Sequence, residues 1–260
     1  MDLLFYIIAG ASVGLAVGLT GVGGGSLMTP ILLMFGFPPH IAIGTDLLYA
    51  AVTKSGGVMM HEKQKTIDWS VMLKLAAGSI PAAALTVLIL NLYFQDVNEY
   101  SQILTSSLGF MLIMTALVLI FKRRLQEHQL EKAIPAIQKL QHHAGAVTIA
   151  IGVLLGVLVT LSSVGAGAFG AAVLMVLYPR MKSIRIIGTD LAHAVPLTLA
   201  AGLGHLYLGH IDFILLAALL SGSLPAVYIG TKLGRKIPEN ILQPILASVL
   251  LLLGFKFAFA

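Results

Sequence analysis

The chain has no cysteine, so disulfides, zinc thiolates and cysteine nucleophiles are excluded. Charge is scarce as well. Asp, Glu, Lys and Arg make up 10% of the 260 residues, where ordinary soluble domains carry about 25%. So few charges cannot cover a water-facing surface. A soluble enzyme, a nucleic-acid binder and a disordered chain are thereby excluded. What fills the chain instead is apolar: 58% hydrophobic residues and a mean hydropathy of +0.95. The net charge of +5 needs only basic loops on the cytoplasmic side of a membrane. No nucleic-acid partner is expected. The first residues, MDLLFYIIAGASVG, lack a basic leader and read as a membrane segment rather than a cleaved signal.

A helix needs about 20 apolar residues to cross the hydrocarbon of a bilayer. Ten apolar segments stand out: 3–20, 27–37, 41–60, 69–92, 103–121, 144–161, 168–178, 184–208, 213–233 and 241–260. The expected fold is therefore all-α, a polytopic membrane protein. Two segments, 27–37 and 168–178, are too short to span. Each follows a glycine- and serine-rich stretch, 21–26 and 162–167, and reads as part of a broken or re-entrant helix. Thirteen of the 16 Lys and Arg fall into four groups, at 63–65, 122–139, 180–185 and 232–236. The positive-inside bias puts all four in the cytoplasm and both termini outside. The connection 122–143 reads as a cytoplasmic linker, either solvated or an amphipathic surface helix. The paired His142 and His143 are too weak a signal for a metal, and no metal or other cofactor is expected.

The chain is a duplication. Residues 43–82 align without a gap on 187–226, and 14 of these 40 positions are identical. Ile43-Gly44-Thr45-Asp46-Leu47 returns as Ile187-Gly188-Thr189-Asp190-Leu191. His61 matches His205, and Gly78-Ser79 with Pro81-Ala82 match Gly222-Ser223 with Pro225-Ala226. Upstream the offset falls from 144 to 142 and pairs the two glycine-rich stretches. Residues 1–121 and 144–260 read as repeats of five segments each. An odd number turns the second copy upside down. Inverted repeats with broken helices are the pattern of secondary transporters.

Gly18-Leu19-Thr20-Gly21-Val22-Gly23-Gly24-Gly25-Ser26-Leu27-Met28-Thr29-Pro30, followed by Ala42-Ile43-Gly44-Thr45-Asp46, resembles the signature of the TauE/SafE sulfite exporter family. The second copy, 163–170 and 187–190, is similar to that family's second repeat. It departs from the pattern at Ala166, Ala168 and Phe169. The resemblance covers essentially the whole chain. It implies an inner-membrane permease for small anions such as sulfite, sulfonates or organic acids.

An interrupted helix offers unpaired N–H groups and a partial positive charge to an anion. The expected anion-binding set is Thr20, Gly23, Gly24, Gly25, Ser26, Ser162, Ser163, Gly165 and Gly167. The glycines also suit plain tight helix crossing. Lys54 lies inside a span, either as a countercharge or as a side chain snorkelling to the surface. Thr45, Asp46, Thr189 and Asp190 admit two roles, coupling of a proton or cation, or N-capping of the helix that follows. Capping is preferred, because an ionised carboxylate repels an anion. His193, one turn beyond Asp190, suits a proton relay or a hydrogen-bonded core position. His61 and His205 fall near the membrane surfaces. The rival functions are an anion channel and an intramembrane serine hydrolase using Ser26 or Ser163 with His193 or His205 as base. A homodimer is possible but no motif marks one.

Overall fold

In hydrocarbon, backbone N–H and C=O groups find no water, so a spanning segment pairs them internally as a helix. The computed structural model describes residues 3–20, 25–94, 97–127, 141–234 and 239–259. Among these, ten helices and no strand occur. They are α1 (Leu3–Thr20), α2 (Gly25–Met34), α3 (Pro39–Lys63), α4 (Trp69–Tyr93), α5 (Val97–Glu127), α6 (Ala144–Ser162), α7 (Ala168–Leu177), α8 (Ser183–Tyr207), α9 (Phe213–Gly234) and α10 (Glu239–Ala258). Five of them, α4, α5, α6, α8 and α9, contain runs apolar and long enough to cross a bilayer. α3 equals α4 and α8 in length but carries Asp46 and Lys54 inside. Most of the connection 122–143 expected as a linker, residues 128–140, lies outside the described residues.

Local signals fix the helix starts. Pro39 takes the first position of α3, where its missing N–H costs nothing. Asp68 caps α4 by accepting from the Val71 N–H at 3.2 Å. Asp212 does the same for α9, accepting from Leu215 N–H at 2.9 Å. The short helices fold back on their predecessors. Phe35 and Phe37, just past α2, meet Phe5 and Tyr6 at the start of α1. Tyr178, just past α7, bonds Thr148 in the first turns of α6 at 2.8 Å. Each broken pair thus enters and leaves on one face of the bundle.

The packing obeys an exchange of halves. α1 packs on α9 and α6 on α4, while α3 packs on α8 and α5 on α10. The same atoms meet twice. Thr189 Oγ1 accepts from the Asp68 N–H at 2.8 Å, and Thr45 Oγ1 from the Asp212 N–H at 3.2 Å. α3 and α8 run antiparallel, Gly44 lying against His205 and Gly188 against His61. The two halves thus exchange contacts pairwise.

Close crossing is made by glycines away from the breaks. Gly14 sits against the Ser223 backbone, and Gly156 against Ser79 and Ala82. A side chain at Gly156 would overlap the Ser79 carbonyl and lie 2.8 Å from Ala82 Cβ. Gly156→Val should therefore cost about 1–3 kcal/mol of stability by overpacking. Thermal unfolding in detergent checks it against Gly145→Ala, whose new methyl would meet only the Lys74 side chain at 3.8 Å.

Candidate functional site

The second glycine-rich stretch is where α6 gives way to α7. Ser163 ends α6 in the left-handed conformation, φ 59°, its N–H donating to the Val159 carbonyl at 2.7 Å. Gly165 (φ 121°) and Gly167 (φ 140°) hold backbone angles that side chains resist. In the first half α1 stops at Thr20 and α2 starts at Gly25. Gly23 and Gly24 lie outside the described residues, as do the side chains of Thr20 and Ser26.

Three buried charged residues gather beside the second break. Lys54 is 4% exposed, and its Nζ donates to the Ala166 carbonyl at 3.0 Å. It therefore does not snorkel. Its charge lies near enough to act on both Asp46 and Asp190. Asp46 Oδ2 accepts from the Thr29 N–H at 3.2 Å and from the Thr29 hydroxyl. Its Oδ1 faces the Ser163 hydroxyl, close enough for the two to interact. Asp190 lies against Gly167 and Gly170, and its Oδ1 is without a partner.

Several sequence expectations need correction. Asp46 and Asp190 do not cap the helices that follow them. They stand two turns inside α3 and α8, where the helix's own backbone has no free N–H to offer. Thr45 and Thr189 do serve helix starts, but those of the opposite half, through Asp212 and Asp68. The Ser162 hydroxyl is consumed locally, donating to the Leu158 carbonyl at 2.6 Å, so it does not face a ligand. His193 Nε2 bonds Ser79 Oγ at 2.7 Å. The matching bond in the other half joins the Tyr49 hydroxyl to Ser223 Oγ at 2.5 Å. Neither His193 nor His205 bonds Ser163; His193 pairs instead with Ser79 of α4.

Sequence reasoning missed Thr29, Tyr49, Ser79, Ser223 and Gly170. The serines were legible as polar positions kept at one offset inside apolar helices. Gly170 fell outside the anion-binding set expected from the sequence.

A cavity of about 550 Å³ leads from Lys54 between α1, α3, α8 and α9. Lys232 lies at its other end with its ammonium 4.3 Å over the Tyr228 ring. Among the described residues no acidic side chain lines it. The opposite face is closed by rings. His205, expected near a surface, is fully buried and bonds the Thr160 carbonyl at 3.0 Å. His205 and His210 lie 3.2 Å apart at Nδ1, and His210 Nε2 bonds the Tyr100 hydroxyl at 2.9 Å. Burial, and then the imidazoles of His205 and His40, push His210 in its loop down to about 3, which keeps that ring neutral.

Against known families, residues 6–257 match Sulfite exporter TauE/SafE. Similar curated proteins include the "Probable membrane transporter protein YjnA" of Bacillus subtilis, 41% identical over 96% of this chain and 97% of the relative. "Probable membrane transporter protein YdhB" of the same organism is 28% identical over 92% and 96%. "Probable membrane transporter protein MJ0441" of Methanocaldococcus jannaschii is 28% identical over 95% and 92%. No solved structure matches the chain.

Proposed function

The chain belongs to the sulfite exporter TauE/SafE family of membrane transporters, and from that premise we propose that it is a secondary permease for a small anion. The substrate class is sulfite, a sulfonate or a related organic acid. One observation carries the reading. A buried lysine is tied to the carbonyl of a broken helix beside a cavity that contains a second lysine and, among the described residues, no acid. A buried cation in a membrane protein is costly and by default marks a substrate or ion pathway.

In this reading the anion enters past Lys232 and binds Lys54, the Ser163 hydroxyl and the backbone N–H groups that open α7. The lysine-rich face, with Lys63, Lys65 and Lys232, is cytoplasmic by the positive-inside bias. The cavity then represents the inward-facing state, and the His205–His210–Tyr100 face is the closed outer side. Repeats 1–121 and 144–260 alternate around the fixed site.

Purified protein in liposomes tests this with labelled sulfite and methanesulfonate. Saturable uptake, accelerated by unlabelled anion on the opposite side, is expected of a carrier. A current that never saturates would instead make the protein a channel.

A further inference from the structure

We infer that the anion travels with a proton, carried by Asp46 and Asp190, one proton for each negative charge of substrate. The inference rests on the permease reading above and deepens it. Charge counting leads there. Asp46 is 0% exposed, Asp190 2% and Lys54 4%. With all three ionised, the site holds a net negative charge and repels its own substrate. Uncompensated charge is strongly disfavoured in a dry interior. The empty site is neutral when Lys54 faces one carboxylate and one carboxylic acid. An arriving monoanion takes Lys54 as its counterion, so the second carboxylate must also gain a proton. Loading thus takes one proton from water, and release returns it.

The geometry leaves room for those protons. A carboxylate that stays ionised usually has donors on both oxygens. Here Asp190 keeps one oxygen without a partner, and Asp46 Oδ1 has no neighbour but the Ser163 hydroxyl. Asp46 Oδ1 lies near the Ser163 hydroxyl, which can accept from a carboxylic acid O–H. Asp190 Oδ1 lies against the Gly170 backbone. The other titratable groups facing the site are few among the described residues. From α3 comes Tyr49, held by Ser223 of α9, and from α8 comes His193, held by Ser79 of α4. α9 contributes Lys232 at the far end of the cavity, and α2, α6 and α7 contribute only Thr29, Ser163 and backbone. His193 keeps a bare Nδ1 and is the one alternative proton carrier.

The test uses full-length protein in liposomes with labelled methanesulfonate, a permanent monoanion, and sulfite as second probe. With membrane potential clamped, internal anion at zero net flux should rise about tenfold for each pH unit of inside-alkaline gradient. A potential imposed alone should not move it. In Asp46→Asn/Asp190→Asn, residual slower flux should ignore the pH gradient and follow the potential. Saturable exchange that ignores the pH gradient in the wild type would overturn the coupling and leave the permease reading standing. Absence of saturable flux for both probes would overturn the permease reading and the coupling with it. Loss of pH dependence in His193→Gln, with it retained in Asp46→Asn/Asp190→Asn, would move the proton to His193 and overturn the assignment.

Discussion

Replacing Lys54 by Met should strongly weaken anion binding and make the protein's stability depend on acid. The side chain is the single cation among two buried carboxylates, and its ammonium also bonds the Ala166 carbonyl in the α6–α7 break. Met matches its length and supplies no donor. Removing one partner of a buried charge set costs about 3–5 kcal/mol, because the remaining charge has no solvent. The same loss in the anion complex weakens apparent affinity about a hundredfold or more. Acid distinguishes this from a packing defect. Protonation neutralises the stranded carboxylates, so the variant should regain stability as pH falls while the wild type does not. The measurement is thermal unfolding in detergent across pH, paired with transport of labelled methanesulfonate. A variant with wild-type stability at every pH, and wild-type uptake, would show that Lys54 neither balances the acids nor holds the anion.

How far such residues could be read from the chain depends on what kind of contact they make. The helices and the pairing of the two halves were legible because they rest on patterns repeated along the sequence. Apolar length gave the segments, and Gly-Thr-Asp at a single offset gave the duplication. The α6–α7 break was legible for the same local reason, since glycines at 165 and 167 accept positive φ. Lys54 announced itself by rarity. Asp46 and Asp190 were seen, but their role was misassigned. The Gly-Thr-Asp triplet looks like a cap only if a helix begins there, and Pro39 starts α3 seven residues earlier. The partners of these acids could not be read at all. Thr29 reaches Asp46 from another helix, and Ser79 reaches His193 across 114 positions. Such contacts are set by crossing of helices, which leaves no local trace. His205 was misplaced for a related reason. Its position near a helix end suggested a surface, while the returning loop with His210 and the start of α5 with Tyr100 cover it.

Gly170→Ala is expected to disable transport with a single methyl group, at a position outside the anion-binding set expected from the sequence. Gly170 lies in the first turn of α7 and faces α8. A Cβ there would overlap Asp190 Oδ1 and lie 3.1 Å from Asp190 Cγ. Asp190 is buried, so one of two movements follows. Either α7 lifts from α8 and carries the Gly165–Gly167 break away from Lys54, or the carboxyl turns out of the site. Both separate the groups that hold anion and proton. Overpacking of this kind costs about 1–3 kcal/mol, enough to lower the melting temperature but not to prevent folding. The double substitution Gly170→Ala/Asp190→Ser separates the packing effect from the chemical one. Serine is shorter than aspartate, so thermal stability should return toward wild type, a non-additive outcome expected of residues in contact. Uptake driven by a pH gradient should stay lost, because the proton-carrying group is gone. Gly145→Ala provides the baseline, since its methyl makes only ordinary contact with the Lys74 side chain. If Gly170→Ala instead transports and melts like Gly145→Ala, α7 and α8 are not held in the contact described, and the site assembled from them loses its second half.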